Sequence, residues 1–176
     1  MALMEAARSR LLVIDFQDRL MPAIRDGEAV LAQARRLVEA ARLLAVPVLV
    51  TEQSPAKLGR TVAGLGWSGP VVEKTSFDSG AAPAFQAAVA GDEDLVVCGC
   101  ESHVCVLQTV LGLLAQGRRV RLVQDAVGSR AAESKAVALE RLARHGADVV
   151  TTEMVLFEWL RDAGHPQFRA VSRLIR

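Results

Sequence analysis

The sequence predicts a three-layer α/β fold, in which helices cover both faces of a mostly parallel sheet of roughly six strands. Short apolar runs rich in Val, Ile and Leu recur along the chain, and longer stretches with helical spacing separate them. The runs are continuously apolar rather than alternating, as expected of parallel strands that are buried on both faces. Strands that alternate with helices in this way indicate helices packed on the two faces of one sheet.

Six apolar runs are the predicted strands, and the first helix follows the first of them. In that helix, apolar residues recur along one face from Val30 to Leu44, with Asp26 as a candidate N-cap and Pro47 just beyond the end. The predicted strands cover residues 11–14, 46–50, 71–72, 95–97, 120–123 and 149–150.

Two further helices are predicted from their spacing and from the glycines that end them. One runs over residues 103–116 and stops at Gly117, and the other runs from about Ala131 to Gly146. Glycine is favoured there because the residue after a helix often adopts a left-handed conformation.

We expect residues 1–176 to form a single domain, because the chain is long enough for one sizeable core and has no repeat or linker. The segment from Glu52 to Gly69 contains one proline and four glycines. Long loops in compact domains are often functional, so this segment is a candidate wall of a pocket.

Composition narrows the classes of partner. The net charge of +1 comes from 21 basic and 20 acidic residues that are spread along the chain, and aromatic residues are few, so we expect no nucleic-acid partner. The first apolar run has four residues and ends at Asp15, too short for a signal peptide or a membrane span. We therefore expect a cytoplasmic protein whose cysteines are not paired in disulfides.

Three chemically active side chains follow predicted strands. "LLVID" ends on Asp15, "PVVEK" ends on Lys74, and "LVVCG" leads into the helix that carries Cys105. The carboxyl ends of parallel strands lie at one edge of the sheet, where ligands bind in such folds. The sequence thus predicts that an acid, an amine and a thiol meet at this edge.

Of the three cysteines in "VVCGCESHVCVLQT", Cys105 is the candidate nucleophile. If Ser102 caps the helix, Cys105 lies in the first turn, where the helix dipole and unpaired N–H groups stabilise a thiolate. Cys98 and Cys100 lie at the end of a buried strand and are interpreted as packing residues, although Cys100 is close enough to line a site.

Other interpretations of nearby residues remain open. His103 lies two positions from Cys105 on the helix, which does not bring the two side chains together, so it is interpreted as a packing or supporting residue. Asp125 and Arg130 are expected to cap and brace the loop after the fifth strand. A zinc site is a weaker alternative, since its spacing matches no common zinc pattern. Its ligands would be Cys98, Cys100, His103 and Cys105.

Several motifs in order resemble the isochorismatase-like cysteine hydrolases, and most closely the isochorismatase domain-containing proteins. The motifs are "VIDFQ", "TEQSPAKLG", "EKTSFDS", "GCESHVCVLQT", "VQDAVGSR", "ALERLARHGA" and "LRDAGHPQF", which span nearly the whole chain. The resemblance implies a Rossmann-like sheet and a catalytic triad of Asp15, Lys74 and Cys105. It also implies a cis peptide bond between Cys100 and Glu101, in the turn before the nucleophile.

The resemblance further implies hydrolysis of a small-molecule amide through a thioester on Cys105. Asp15 would accept the thiol proton, and Lys74 would keep Asp15 ionised and lower the pKa of the thiol. Backbone N–H groups of Cys105 and of the turn at Cys100 and Glu101 would stabilise the oxyanion. The expected pocket residues are Phe16, Gln17, Gln53 and Phe77.

Neither a metal nor another cofactor is expected, and the substrate is not identified by the sequence. Relatives that hydrolyse nicotinamide hold a metal through histidines after the second strand, and "TEQSPAKLG" has none. The main alternative is a catalytically idle oligomeric binding or scaffold protein of the same fold. In either case we expect a homo-oligomer, a dimer or tetramer, with a contact through the apolar tail residues Phe157, Trp159, Leu160 and Phe168.

Overall fold

The computed structural model describes residues 2–175, and its six strands form one parallel sheet in the order β3-β2-β1-β4-β5-β6. The predicted fold class is confirmed, and each predicted strand is present. The strands are β1 (Ser9–Ile14), β2 (Val48–Gln53), β3 (Val71–Lys74), β4 (Asp94–Cys100), β5 (Val120–Gly128) and β6 (Asp148–Val150).

The three predicted helices are present, together with shorter ones that the apolar spacing did not indicate. The first follows Asp26, although the Asp26 side chain makes no capping hydrogen bond. The second begins as a π-helical turn, Ser102–Val106, before the α-helix proper. The α-helices are α1 (Gly27–Leu43), α2 (Pro55–Leu58), α3 (Pro83–Ala88), α4 (Leu107–Ala115), α5 (Ala132–Arg144), α6 (Thr152–Leu160) and α7 (Phe168–Ser172).

Alternate residues of the strands build a separate core on each face of the sheet. In β1, Leu11 and Val13 pack with α1, α6 and α7, whereas Leu12 and Ile14 pack with α3, α4 and α5. This alternation is the two-residue period of a strand applied to a sheet that is covered on both faces. The continuous apolar runs follow from it.

The segment after β2 is more ordered than a long loop. It contains α2 and a short 3₁₀ turn at Ala63–Leu65. The buried Glu52 carboxylate accepts hydrogen bonds from the backbone N and Oγ1 of Thr61, at 2.7 and 2.8 Å, and pairs with Arg60. The Glu52 carboxylate therefore holds this segment against the edge of the sheet.

The apolar tail belongs mainly to the core, which corrects the expectation of a subunit contact there. Trp159 and Leu160 are buried, and Trp159 Nε1 donates to Ser9 Oγ at 3.0 Å. Phe168 is partly buried against the same core, so Phe157 alone of the four presents a large exposed surface. Within residues 2–175, no helix has the length and apolar character needed to cross a membrane.

Candidate active site

The candidate site lies where the strand order reverses, between β1 and β4. The chain proceeds from β1 outward through β2 and β3, then returns to β4 on the other side of β1. The crevice at such a switch point is the usual ligand site of open α/β sheets. Gly99, with φ +148°, permits the close approach of the two strands, since a Cβ there would lie 2.4 Å from the Ile14 carbonyl oxygen.

Asp15 follows β1 and is fully buried between two hydrogen-bond donors. Its Oδ2 accepts from Lys74 Nζ at 2.7 Å, and its Oδ1 accepts from Thr51 Oγ1 at 2.6 Å. Asp15 has a φ of +54°, an uncommon conformation for a residue with a side chain, which turns the chain out of the strand. The carboxylate is thus held on both oxygens at the carboxyl edge of the sheet.

Lys74, at the end of β3, reaches across β2 to Asp15. Its ammonium donates to Asp15 Oδ2, to Gln53 Oε1 at 2.9 Å and to the Ser76 carbonyl oxygen at 3.3 Å. An ammonium has three N–H donors, so these contacts use all of them. Lys74 can therefore act on the site through its charge while its hydrogen bonds hold the protein.

Cys105 lies in the π turn after β4, with 6% of its surface exposed, close enough to Asp15 and Lys74 for both charges to act on its thiol. Burial and the charge of Asp15 raise the pKa of Cys105 to about 12, and Lys74 acts in the opposite direction. The expected lowering of this pKa is wrong, because desolvation and the adjacent carboxylate outweigh the lysine. A pKa of about 12 leaves the thiol protonated at neutral pH.

The start of the helix differs from the predicted cap. Glu101 is the N-cap residue, and Ser102 is the first residue of the π turn. The Ser102 hydroxyl is buried and has no hydrogen-bond partner among residues 2–175. Ser102 therefore does not cap the helix, although Cys105 still falls in the first turn.

Cys98 and Cys100 lie on the opposite side of the sheet from Cys105. Both belong to the core beneath α1, and Cys100 Sγ lies 3.8 Å from Met21 Sδ. Burial raises the pKa of both thiols well above the ordinary range. They are packing residues in this structure, and the Cys100 side chain is part of the core.

The turn between β4 and the helix is held by an ion pair. The peptide bond between Cys100 and Glu101 is cis. The buried Glu101 carboxylate accepts from the backbone N of Arg130 at 2.9 Å and from its Nε at 3.0 Å. Arg130 thus braces this turn as well as its own loop, whereas Asp125 accepts from the backbone N and Oγ1 of Thr152.

The four expected pocket residues have different environments. Phe16 is fully buried in the core, and the Gln17 amide is fully buried and bonded to the backbone of Gln53 and Gly59, so neither has free surface for a ligand. Gln53 instead links Lys74 to the Thr75 carbonyl oxygen. Phe77 is 51% exposed in the segment that follows Lys74.

The residues of the zinc alternative do not come together. Within the described part of the chain, no group of three or more His, Cys, Asp or Glu side chains is arranged to hold a metal ion. Cys98 and Cys100 point into the core beneath α1, and His103 Nδ1 lies 3.0 Å from Ser129 Oγ. His103 therefore supports the turn, as interpreted from the sequence.

Comparison with known proteins assigns the family. The Isochorismatase domain model matches residues 9–154. The chain belongs to the isochorismatase domain family. Isochorismatase domain-containing protein 2A of Mus musculus is 39% identical over 172 residues, which cover 96% of this chain and 82% of that protein. The chain spans 62% of the isochorismatase domain-containing protein 1 of Danio rerio that it also matches.

Solved structures of other proteins share this fold. A protein described as the MAR1 ribonuclease of Caenorhabditis elegans is 34% identical, with a TM-score of 0.94 over 99% of this chain and 92% of that one. The YcaC protein of Escherichia coli, described as an octameric hydrolase of unknown specificity, is 20% identical. Its TM-score of 0.90, over 99% of this chain and 90% of that one, shows a shared fold.

Two supporting contacts of this isochorismatase-like site were not predicted from the sequence. Thr51 is the partner of Ile14 in the β1–β2 register, which places its hydroxyl beside Asp15. Thr109 on α4 accepts from the backbone N of Ser79 at 2.9 Å and ties α4 to the segment after Lys74. A polar residue at the end of a buried strand was the available signal for Thr51.

Proposed function

We propose that the protein is a cysteine-dependent hydrolase of small-molecule amides. The observation that carries this proposal is the buried Asp15–Lys74 ion pair beside the Cys105 thiol at the strand switch point. Burying two charges is costly, and such pairs are often replaced by apolar residues when stability alone matters. Retaining the pair next to a thiol supports a chemical role.

In the proposed acylation step, Cys105 Sγ attacks the carbonyl carbon of the amide while its proton passes to Asp15. Because the resting thiol is protonated, proton transfer accompanies formation of the S–C bond. The C–N bond then breaks, and Asp15 returns the proton to the leaving nitrogen. The products of this step are the free amine and a thioester on Cys105.

In the proposed deacylation step, water attacks the thioester carbonyl and gives a proton to Asp15. The S–C bond breaks, the carboxylic acid leaves, and the proton returns to Cys105. Lys74 pairs directly with Asp15 and holds the carboxylate in place between the two transfers. The N–H groups of Cys105 and Glu101 are the proposed oxyanion donors, and each contributes about 3 kcal/mol in comparable sites.

We also infer that the enzyme works as a homo-oligomer, without a metal or other cofactor. The E. coli YcaC neighbour is described as octameric, and the C. elegans neighbour as a ribonuclease. RNA is the less favoured substrate, because a net charge of +1 provides little attraction for a polyanion. The catalytically idle scaffold remains the competing proposal.

The test uses p-nitrophenyl acetate, which acylates an active thiol without knowledge of the natural substrate. Wild-type protein should release p-nitrophenol in a burst followed by steady turnover, with a 42-Da acetyl adduct on the Cys105 peptide under acid quench. Cys105→Ala should lose both burst and turnover, and Asp15→Asn should lose turnover. Cys98→Ala is the matched control and should retain both.

Two results would contradict the hydrolase proposal. Turnover that is unchanged in Cys105→Ala would remove the nucleophile, and acetylation without turnover would favour the idle scaffold. Incubating wild type and Cys105→Ala with RNA in parallel tests the ribonuclease alternative. RNA cleavage that requires Cys105, with no esterase turnover, would replace amide hydrolysis as the proposed activity.

A further inference from the structure

The helix that carries Cys105 is apolar on two faces, and the protein buries one of them completely and the other only in part. Val106, Val110 and Leu113 are fully enclosed in the core above α4. A second apolar row is only partly buried and reaches the surface. This outer stripe consists of Val104, Leu107, Leu111 and Leu114. A helix that is apolar on more than one face is typical of an element that is covered on more than one side.

α5 borders the outer stripe, and a groove of about 340 Å³ lies between them, lined in part by His103, Leu107 and Val137. Val137 is 63% exposed, an unusual position for a large apolar residue on a polar helix. The half-buried stripe and the exposed Val137 together form an apolar surface that the single chain covers only in part. Apolar surfaces of this kind mark interaction sites.

Opposite charges flank Val137 at equal distances. Glu133, Val137 and Arg141 follow one another at four-residue intervals, so they form one line along α5. Glu133 and Arg141 also line the groove. In contrast, Glu140 and Arg144 pair with each other within the same helix. Along α5, this line therefore carries a negative, an apolar and a positive side chain in that order.

We propose that the outer stripe and α5 form an interface between two copies of this chain, related by a two-fold axis that passes near Val137. A two-fold axis makes the two α5 helices antiparallel and brings the same patch of each copy together. Glu133 then faces the partner's Arg141, and Arg141 faces the partner's Glu133. A parallel arrangement would oppose like charges, so the charge order selects the antiparallel copy.

This interface would lie beside the proposed active site. The outer stripe begins at Val104, the residue before Cys105, and His103 lines the same groove. A docked copy would therefore cover the surface next to the π turn. The proposal does not depend on hydrolysis, because its test measures mass and not turnover.

The test is a charge exchange followed by light scattering after size exclusion. Glu133→Arg and Arg141→Glu each create two like-charge contacts across the axis, and each should weaken this association roughly tenfold or more. The double variant restores opposite charges and should recover the wild-type mass. Glu28→Arg, at an exposed position of α1 on the other face of the sheet, is the control and should leave the mass unchanged.

Substitutions at two apolar positions distinguish this interface from a contact through the tail. Val137→Arg should halve the assembly or dissociate it to monomers, because it places a charge at the axis, while far-ultraviolet circular dichroism stays unchanged. Phe157→Arg, on α6, should leave the mass as in wild type. A monomeric wild type at micromolar concentration, single charge variants with wild-type mass, or dissociation by Phe157→Arg alone would each overturn the proposal.

Discussion

Lys74 Nζ lies 2.7 Å from Asp15 Oδ2, and both side chains are almost completely excluded from solvent. The two residues come from strands that are not neighbours, since β2 separates β1 from β3. The pair therefore links the first and third strands over the end of the second. Gln53, at the end of β2, accepts from the same ammonium and completes the link.

Breaking this pair on one side should be more harmful than removing it entirely. Lys74→Met leaves the Asp15 charge buried without its partner, and we expect a loss of about 3–5 kcal/mol in the free energy of unfolding. Asp15→Asn combined with Lys74→Met should recover most of that loss. Urea unfolding measures both, and Lys57→Met, at an exposed lysine, is the control. A Lys74→Met variant as stable as the control would show that the pair contributes no such energy.

Removing the charge of Asp15 and removing the charge of Lys74 should change the reactivity of Cys105 in opposite directions. With a pKa of about 12, alkylation at pH 8 should be on the order of a thousandfold slower than for an ordinary thiol. Asp15→Asn removes the negative charge, lowers the pKa and should speed alkylation, whereas Lys74→Met should slow it.

Iodoacetamide labelling of the Cys105 peptide, followed by mass spectrometry across pH, gives these rates. Urea-unfolded protein supplies the reference, because all three thiols then react alike. A faster reaction in Lys74→Met than in Asp15→Asn would contradict the assigned balance of charges.

The strands and the placement of Asp15, Lys74 and Cys105 at one edge of the sheet could be predicted, because both depend on the order of the apolar runs along the chain. Parallel strands bring their carboxyl ends to one edge, so Asp15, Lys74 and Cys105 follow from the positions of three apolar runs. The pKa of Cys105 could not be predicted in the same way. It depends on a balance between burial and two opposite charges at short range, and spacing along the chain does not report that balance.

The apolar tail shows a second feature that the sequence pattern could not predict. Trp159 is an aromatic residue near the end of the chain, and its pattern did not reveal that Ser9 on β1 accepts a hydrogen bond from its indole. Partners that are 150 residues apart are set by tertiary packing.

Stability should fall as the pH rises above the ordinary thiol range. Burial raises the pKa of Cys98, Cys100 and Cys105, so between the unfolded value of about 8.5 and the higher folded values the native state holds more protons than the unfolded state. In that range each cysteine lowers the free energy of unfolding by about 1.4 kcal/mol per pH unit, and its full contribution to stability is present only below pH ~8.5.

Comparing wild type with Cys98→Ala isolates the contribution of one cysteine. Urea unfolding under reducing conditions should show the stability advantage of wild type shrinking by about 1.4 kcal/mol for each pH unit above ~8.5. Other titrating groups contribute equally to both proteins. A difference that stays constant from pH 7.5 to pH 10 would contradict the raised pKa of Cys98.

Glu101 should matter more than the arginine it pairs with. Its carboxylate is buried and accepts from the backbone N–H of Arg130, which Glu101→Ala would leave without a partner, at about 1–3 kcal/mol. Arg130→Ala keeps that backbone contact and removes a guanidinium that is 64% exposed, so its effect should stay below about 1 kcal/mol. Glu101→Gln retains an acceptor, and its loss of stability should fall between those of the other two variants.

The burst rate with p-nitrophenyl acetate should follow the same order as the stabilities, because the Glu101 turn carries a proposed oxyanion donor. If Arg130→Ala slowed the burst as much as Glu101→Ala, the guanidinium rather than the backbone contact would hold the turn.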